Sequence, residues 1–336
     1  MQNQNSLATW KTQLARYQAS HTGRSTWQVI NTLVPYCTLW YLIHWSLGVS
    51  YWLAFFLMVL AAGFLVRTFI IFHDCGHGSF FKSKKANDIV GTILGLLVFT
   101  PYLHWSREHA LHHATTGNLD KRGRGDLWTL TIQEYLESPR WQQIAYRLAR
   151  NPIILFIVAP AFLMVVKERV PVPQAQRRER YSVHLTNLAL VGMVVGFSFV
   201  FGFKHYILIQ LVVIGIAGTA GVWLFYIQHQ FDGVTWERGS NWDYTDAALQ
   251  GSSFYKLPKI LQWFTGNIGF HHIHHLNSKI PNYRLEKCHQ SVAIFQTVKP
   301  VTFFASFHAL TLRLWDEQNQ QMISFRQLRK IQNTRR

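Results

Sequence analysis

Four long apolar runs set the limits on what this chain can become. They span residues 28–47, 49–71, 183–203 and 205–227, and a helix of about 20 residues crosses a hydrocarbon core of about 30 Å. Within lipid the backbone has no water to bond to, so such runs fold as helices that satisfy their own N–H and C=O groups. Charge is correspondingly scarce, at 15% of residues against about 25% in soluble chains. Two shorter runs, 89–103 and 152–166, fall short of a crossing and are expected to be interfacial or re-entrant. The fold class expected is an all-α integral membrane protein. Four transmembrane helices form two hairpins, turning near Gly48 and near Phe203 and Lys204, beneath a helical cap.

Charge orients this arrangement. Of 33 Lys and Arg, 31 fall within 1–27, 72–150, 167–182 and 229–336, as do all 16 Asp and Glu; only Arg67 and Lys204 lie in spans or far turns. The positive-inside rule then puts both termini and the cap on the cytoplasmic side of the plasma membrane. The net charge of +17 marks that face and is not read as a nucleic-acid footprint. Residues 1–27 lack the layout of a secretory signal. They are expected to form either a cytosolic arm lying on the membrane through Trp10, Leu14 and Tyr17 or a disordered tail, ahead of a membrane domain at 28–336. Cys37, Cys75 and Cys288 share no pairing or metal-binding pattern, so free thiols are expected.

Histidine carries the chemistry. His73 and His77 stand in HDCGH, His109, His112 and His113 in HALHH, and His271, His274 and His275 in HHIHH. Residues three and four apart share a helix face, so each box projects two or three imidazoles to one side. Spacing alone leaves His272 open as an alternative member of the third box. Eight imidazoles exceed the needs of one ion and suit two held close together. Four crossings put all boxes on one side, whereas six would strand HALHH outside. Imidazole suits iron, which brings redox and oxygen chemistry, better than a closed zinc site. Ligating imidazoles usually pass their second N–H to a carboxylate or carbonyl. Asp74, Glu108, Asp126 and Asp232 are the nearby candidates, and Gly76, Gly78 and Gly269 are candidates for close packing.

The order HDCGH, HALHH, HHIHH resembles the three-box pattern of the integral-membrane fatty acid desaturases. FIIFHDCGHGSFFK, HHATTGNLDKRGRGDLW, GVWLFYIQHQF, LQGSSFYKLPK, LQWFTGNIGFHHIHHL and IPNYRLE extend the likeness from about residue 31 to near the C-terminus. Within that family the likeness is to the bacterial Δ5 acyl-lipid desaturases, with the Δ12 type carrying similar boxes. The resemblance implies a non-haem di-iron centre with O2 as co-substrate. It adds His229, in YIQHQF, as a ninth ligand, and selects His271, His274 and His275, leaving His272 as an orienting neighbour. Animal acyl-CoA desaturases hold a metal-bound water with an Asn near the fourth-span His; Phe225 stands at that distance here, and Asn267 is the substitute considered.

The reaction implied is a cis double bond introduced into a membrane-lipid acyl chain that enters sideways from the bilayer. Its electrons must come from outside, since no G-x-G-x-x-G or HPGG stretch is present. An acidic ferredoxin or flavodoxin suits the cytosolic face, whose formal charge is +15. A hydroxylase or ketolase of lipid, alkane or carotenoid would use the same metals and rebind oxygen to carbon. A metal transporter would need ionisable residues lining the spans, and Arg67 and His44 are nearly alone there.

Overall fold

The structure is a computed structural model describing residues 11–123 and 125–334. It is mainly helical. Helix α1 (Thr22–Ser46) turns back through Ser50, whose hydroxyl caps α2 (Tyr51–Gly76). Next come α3 (Lys84–Leu97) and α4 (Tyr102–Thr115), bent by 100° to one another, and then α5 (Arg140–Ala149). The second hairpin is α6 (Arg177–Phe201) and α7 (Phe203–His229). Gly202 joins them at φ +78°, a backbone conformation that glycine adopts without steric cost. Beyond it lie the short helices α8 (His271–Leu276) and α9 (Asn282–Ser291). Small β-pairings, such as β1 (Phe254–Lys256) with β2 (Pro300–Thr302), tie the cap loops together.

Helices α2, α6 and α7 are each long and apolar enough to cross a membrane. Helix α1 has the length but carries Gln28, Asn31, Thr32 and His44, which lower its hydropathy; it also begins at Thr22, ahead of the apolar run. Several of these polar groups are used inside the protein. Thr32 accepts from Arg67 Nε at 3.1 Å, and the Arg67 guanidinium also donates to the Trp263 carbonyl and lies 3.9 Å over the Trp263 ring. Arg67 is therefore a structural tie between α1, α2 and the cap, not part of a conduction path. At the opposite end Trp40 packs against Phe197, Phe201 and Tyr206, joining the two hairpins.

The two short apolar runs each lie in a sharply bent helix pair, a shape shared by re-entrant loops and broken spans. The first breaks after α3 at Phe99 (φ +55°), Thr100 and Pro101. The second follows α5 with a 65° bend. The N-terminal arm departs from expectation. Trp10 lies outside the described residues, but Leu14 and Tyr17 are buried in a cap cluster with Ile273, Leu276, Leu285 and Phe295. They pack beneath the third histidine box instead of lying on the bilayer, because that box leaves apolar side chains there to cover. All three cysteines are free.

Candidate metal centre

The first two boxes are brought together by close helix packing. A Cβ on Gly91 would lie 2.2 Å from the Tyr102 ring, so only glycine lets α3 accept that tyrosine. Tyr102 then donates to the Cys75 carbonyl at 2.7 Å, fixing the start of α4 to the end of α2. Gly76 sits against Ser106 in the same junction. The third box is positioned from the other side. Tyr255 N–H donates to Gly269 O at 2.7 Å, and His272 N–H donates to Ser253 O at 3.2 Å.

These contacts converge nine imidazoles. His73, His77, His109, His113 and His274 offer nitrogens all within 4.8 Å of one another, and His112, His229 and His275 do the same. His271 joins the second group, its Nε2 3.1 Å from that of His229. The groups are neighbours, since the His113 and His275 rings stack at 4.0 Å. The expected distribution over the boxes thus becomes two adjacent clusters, with His229 at the end of α7 central to the second.

The contact between His112 and His229 is not an ordinary hydrogen bond. Asp126 Oδ1 lies 2.7 Å from His112 Nδ1, and the Gly251 carbonyl faces His229 Nδ1 at 3.4 Å. Each acceptor keeps the proton on Nδ1, so both Nε2 atoms present lone pairs, yet they sit 3.1 Å apart. Facing lone pairs repel unless a cation lies between them. His77 Nε2 and His275 Nε2 are likewise buried with no hydrogen-bond partner. Burial, then the neighbouring imidazoles, push His271, His274 and His275 well below the usual 6.5, which holds them neutral as metal ligands must be. The donor set fits a metal pair.

Around the clusters the expected supporting residues divide. Asp126 meets His112 as described, and Asp74 Oδ1 lies 3.2 Å from His73 Nδ1. Asn282 was not anticipated. Its backbone N–H and side-chain amide donate to Asp74 Oδ2 at 2.7 and 2.9 Å; it lies in IPNYRLE, far along the chain from any box it serves. Three other expectations are corrected. Glu108, next to His109 but about 100° round the helix, makes no hydrogen bond to a box histidine among the described residues; burial lowers the pKa of His104 and raises that of Glu168, and the Glu108 charge pushes both upward. Asp232 is exposed to solvent. Asn267, at φ +60°, spends its side chain on Gln262 and the Asn282 carbonyl. His272 also turns away from the clusters. It packs among Phe254, His289 and Phe295, and burial, with His289 nearby, lowers it to about 3. Phe225 packs against His112 and His229.

Fold and site together define a helical membrane protein with a buried polyhistidine centre able to hold metal. The sequence model of the fatty acid desaturase family matches residues 50–297. The chain belongs to that family and is an oxidoreductase. A fatty acid desaturase of Bacillus subtilis is 48% identical over 319 residues, covering 95% of this chain and 91% of the relative. An sn-1 acyl-lipid omega-3 desaturase (ferredoxin) of Synechocystis is 28% identical, covering 67% of this chain and 63% of the relative. An sn-1 oleoyl-lipid 12-desaturase of the same organism is 25% identical, covering 68% and 65%.

Proposed function

We propose that the chain is an O2-dependent acyl-lipid desaturase of the Δ5 type, with two irons held by His73, His77, His109, His112, His113, His229, His271, His274 and His275. The observation that carries this reading is the pair of adjacent, buried imidazole clusters at the ends of apolar helices. Iron bound there supplies the O2-dependent oxidation of a C–H bond. The protein's own part is to hold and orient. Asp126 and Asp74 accept from the Nδ1–H of His112 and His73, which aims each Nε2 inward, and Asn282 holds Asp74 in place. Burial excludes bulk water, and a membrane-lipid acyl chain reaches the centre from the bilayer without crossing solvent.

A ferredoxin-type donor agrees with the basic cytosolic face and with the donor in the Synechocystis relative's name. A plasma-membrane location with both termini cytoplasmic rests on the Lys and Arg distribution. The 12-desaturase relative keeps a Δ12 product as the second reading. Expression in a host lacking desaturases, followed by mass spectrometry of derivatised fatty esters, tests both. A new double bond at C5 is expected. One at C12 selects the second reading, and hydroxy-acids without olefins refute desaturation.

A further inference from the structure

We propose that Arg150 and Arg313 form a binding site for the phosphate of an anionic membrane lipid. Arg150 follows α5 and is almost fully buried, yet no carboxylate pairs with it or with Arg313 among the described residues. Its Nη2 donates to Gln230 Oε1 at 2.8 Å and to Arg313 O at 3.3 Å. The remaining N–H groups, on Nε and Nη1, find no acceptor, and neither does the buried Gln230 Nε2. Arg313 is half-buried, with Nη1 3.5 Å from Tyr226 Oη, a hydroxyl that itself donates to Ala309 O. The Arg150 guanidinium lies 5.7 and 5.8 Å from the Tyr146 and Tyr226 ring centres. Two guanidiniums without a counter-ion, one of them and the neighbouring amide also short of acceptors, are a donor set for an oxyanion. Leaving a buried cation unpaired is costly.

The surroundings favour lipid as the source of that anion. Trp141, Ile144 and Leu148 form an exposed apolar stripe on α5 at positions i, i+3 and i+7. The stripe runs on into exposed Ile153 and Ile157 of the segment bent 65° from α5. A helix lying in the interface with its apolar face inward puts Arg150, at its end, at the depth of the headgroup phosphates. Free phosphate would have no use for that stripe. The proposal does not depend on the metal reading, although Gln230 directly follows His229.

The test measures unfolding temperature of the full-length protein in nanodiscs of phosphatidylcholine, with and without phosphatidylglycerol, at one ionic strength. Lipid retained on purification is counted by mass spectrometry. The variants are Arg313→Gln and Arg150→Met, with Lys330→Gln as an exposed control that removes the same charge. Phosphatidylglycerol is expected to raise the unfolding temperature of the wild type and of Lys330→Gln by several degrees. Arg313→Gln should lose most of that increment and retain fewer phosphatidylglycerol molecules. Arg313 is only half-buried, so this variant decides the matter even if Arg150→Met fails to fold. Equal losses in Arg313→Gln and Lys330→Gln would reduce the effect to general surface charge and overturn the site. An equal increment from inorganic phosphate in phosphatidylcholine alone would overturn the assignment to lipid.

Discussion

Replacing Gly269 with alanine should silence the centre without touching a histidine. An added Cβ would lie 2.3 Å from the Tyr255 carbonyl oxygen, where about 3.3 Å is the closest comfortable approach, so something must yield by about 1 Å. Neither side yields cheaply. Tyr255 lies in β1, paired along its length with β2, and its N–H bonds to the Gly269 carbonyl itself. The displacement therefore passes into α8, which begins two residues later with His271. A shift of about 1 Å at a reacting centre costs on the order of 100-fold in rate, and overpacking of this kind costs about 1–3 kcal/mol of stability. Gly192 provides the contrast. It is an exposed helical glycine whose added Cβ meets nothing within 4 Å, so Gly192→Ala should gain up to about 1 kcal/mol in helix propensity and keep full activity. Iron per protein by elemental analysis, double bonds formed per hour and the unfolding midpoint would be measured for both variants. Gly269→Ala with wild-type iron content and product within twofold would refute the packing argument.

Asp126→Asn keeps the shape but loses the charge behind His112, and should cost about 10–100-fold in metal affinity or turnover, read by chelator competition. Since His271, His274 and His275 are lowered in the folded chain, their contribution to stability is present above pH 6.5 and is lost as pH falls toward the folded values. Metal-free protein should then lose about 1.4 kcal/mol per pH unit for each proton taken up on unfolding; a flat melting profile from pH 7 to 5 in the apo protein would contradict this. Leu14→Ala, by opening the cap cluster, should cost about 2–5 kcal/mol, whereas an arm that merely rests on lipid would tolerate it; thermal melts distinguish the two.

The sequence revealed most where chemistry repeats at helical spacing. HDCGH, HALHH and HHIHH had to present their imidazoles together. Local neighbours were a poorer guide. Glu108 adjoins His109 along the chain but bonds to no box histidine among the described residues, whereas Asn282, more than 200 residues from Asp74, completes its hydrogen bonds. Which carboxylate serves which imidazole is decided by tertiary packing, and a helix neighbour one residue away points about 100° elsewhere. Leu14 and Tyr17 were misjudged for a related reason. An amphipathic arm suits a bilayer or a cap equally well until the apolar underside of α8 is known.

The stacking of His113 on His275 has a consequence for biogenesis. The first cluster takes four of its five rings from the chain before the second hairpin, but His274 is made only after it, and the second cluster is divided in the same way. Neither pocket can be completed while the ribosome is still translating α7. The full donor set of either cluster is then a late product of folding, complete only once the last hairpin is inserted and the C-terminal portion has folded back against the first.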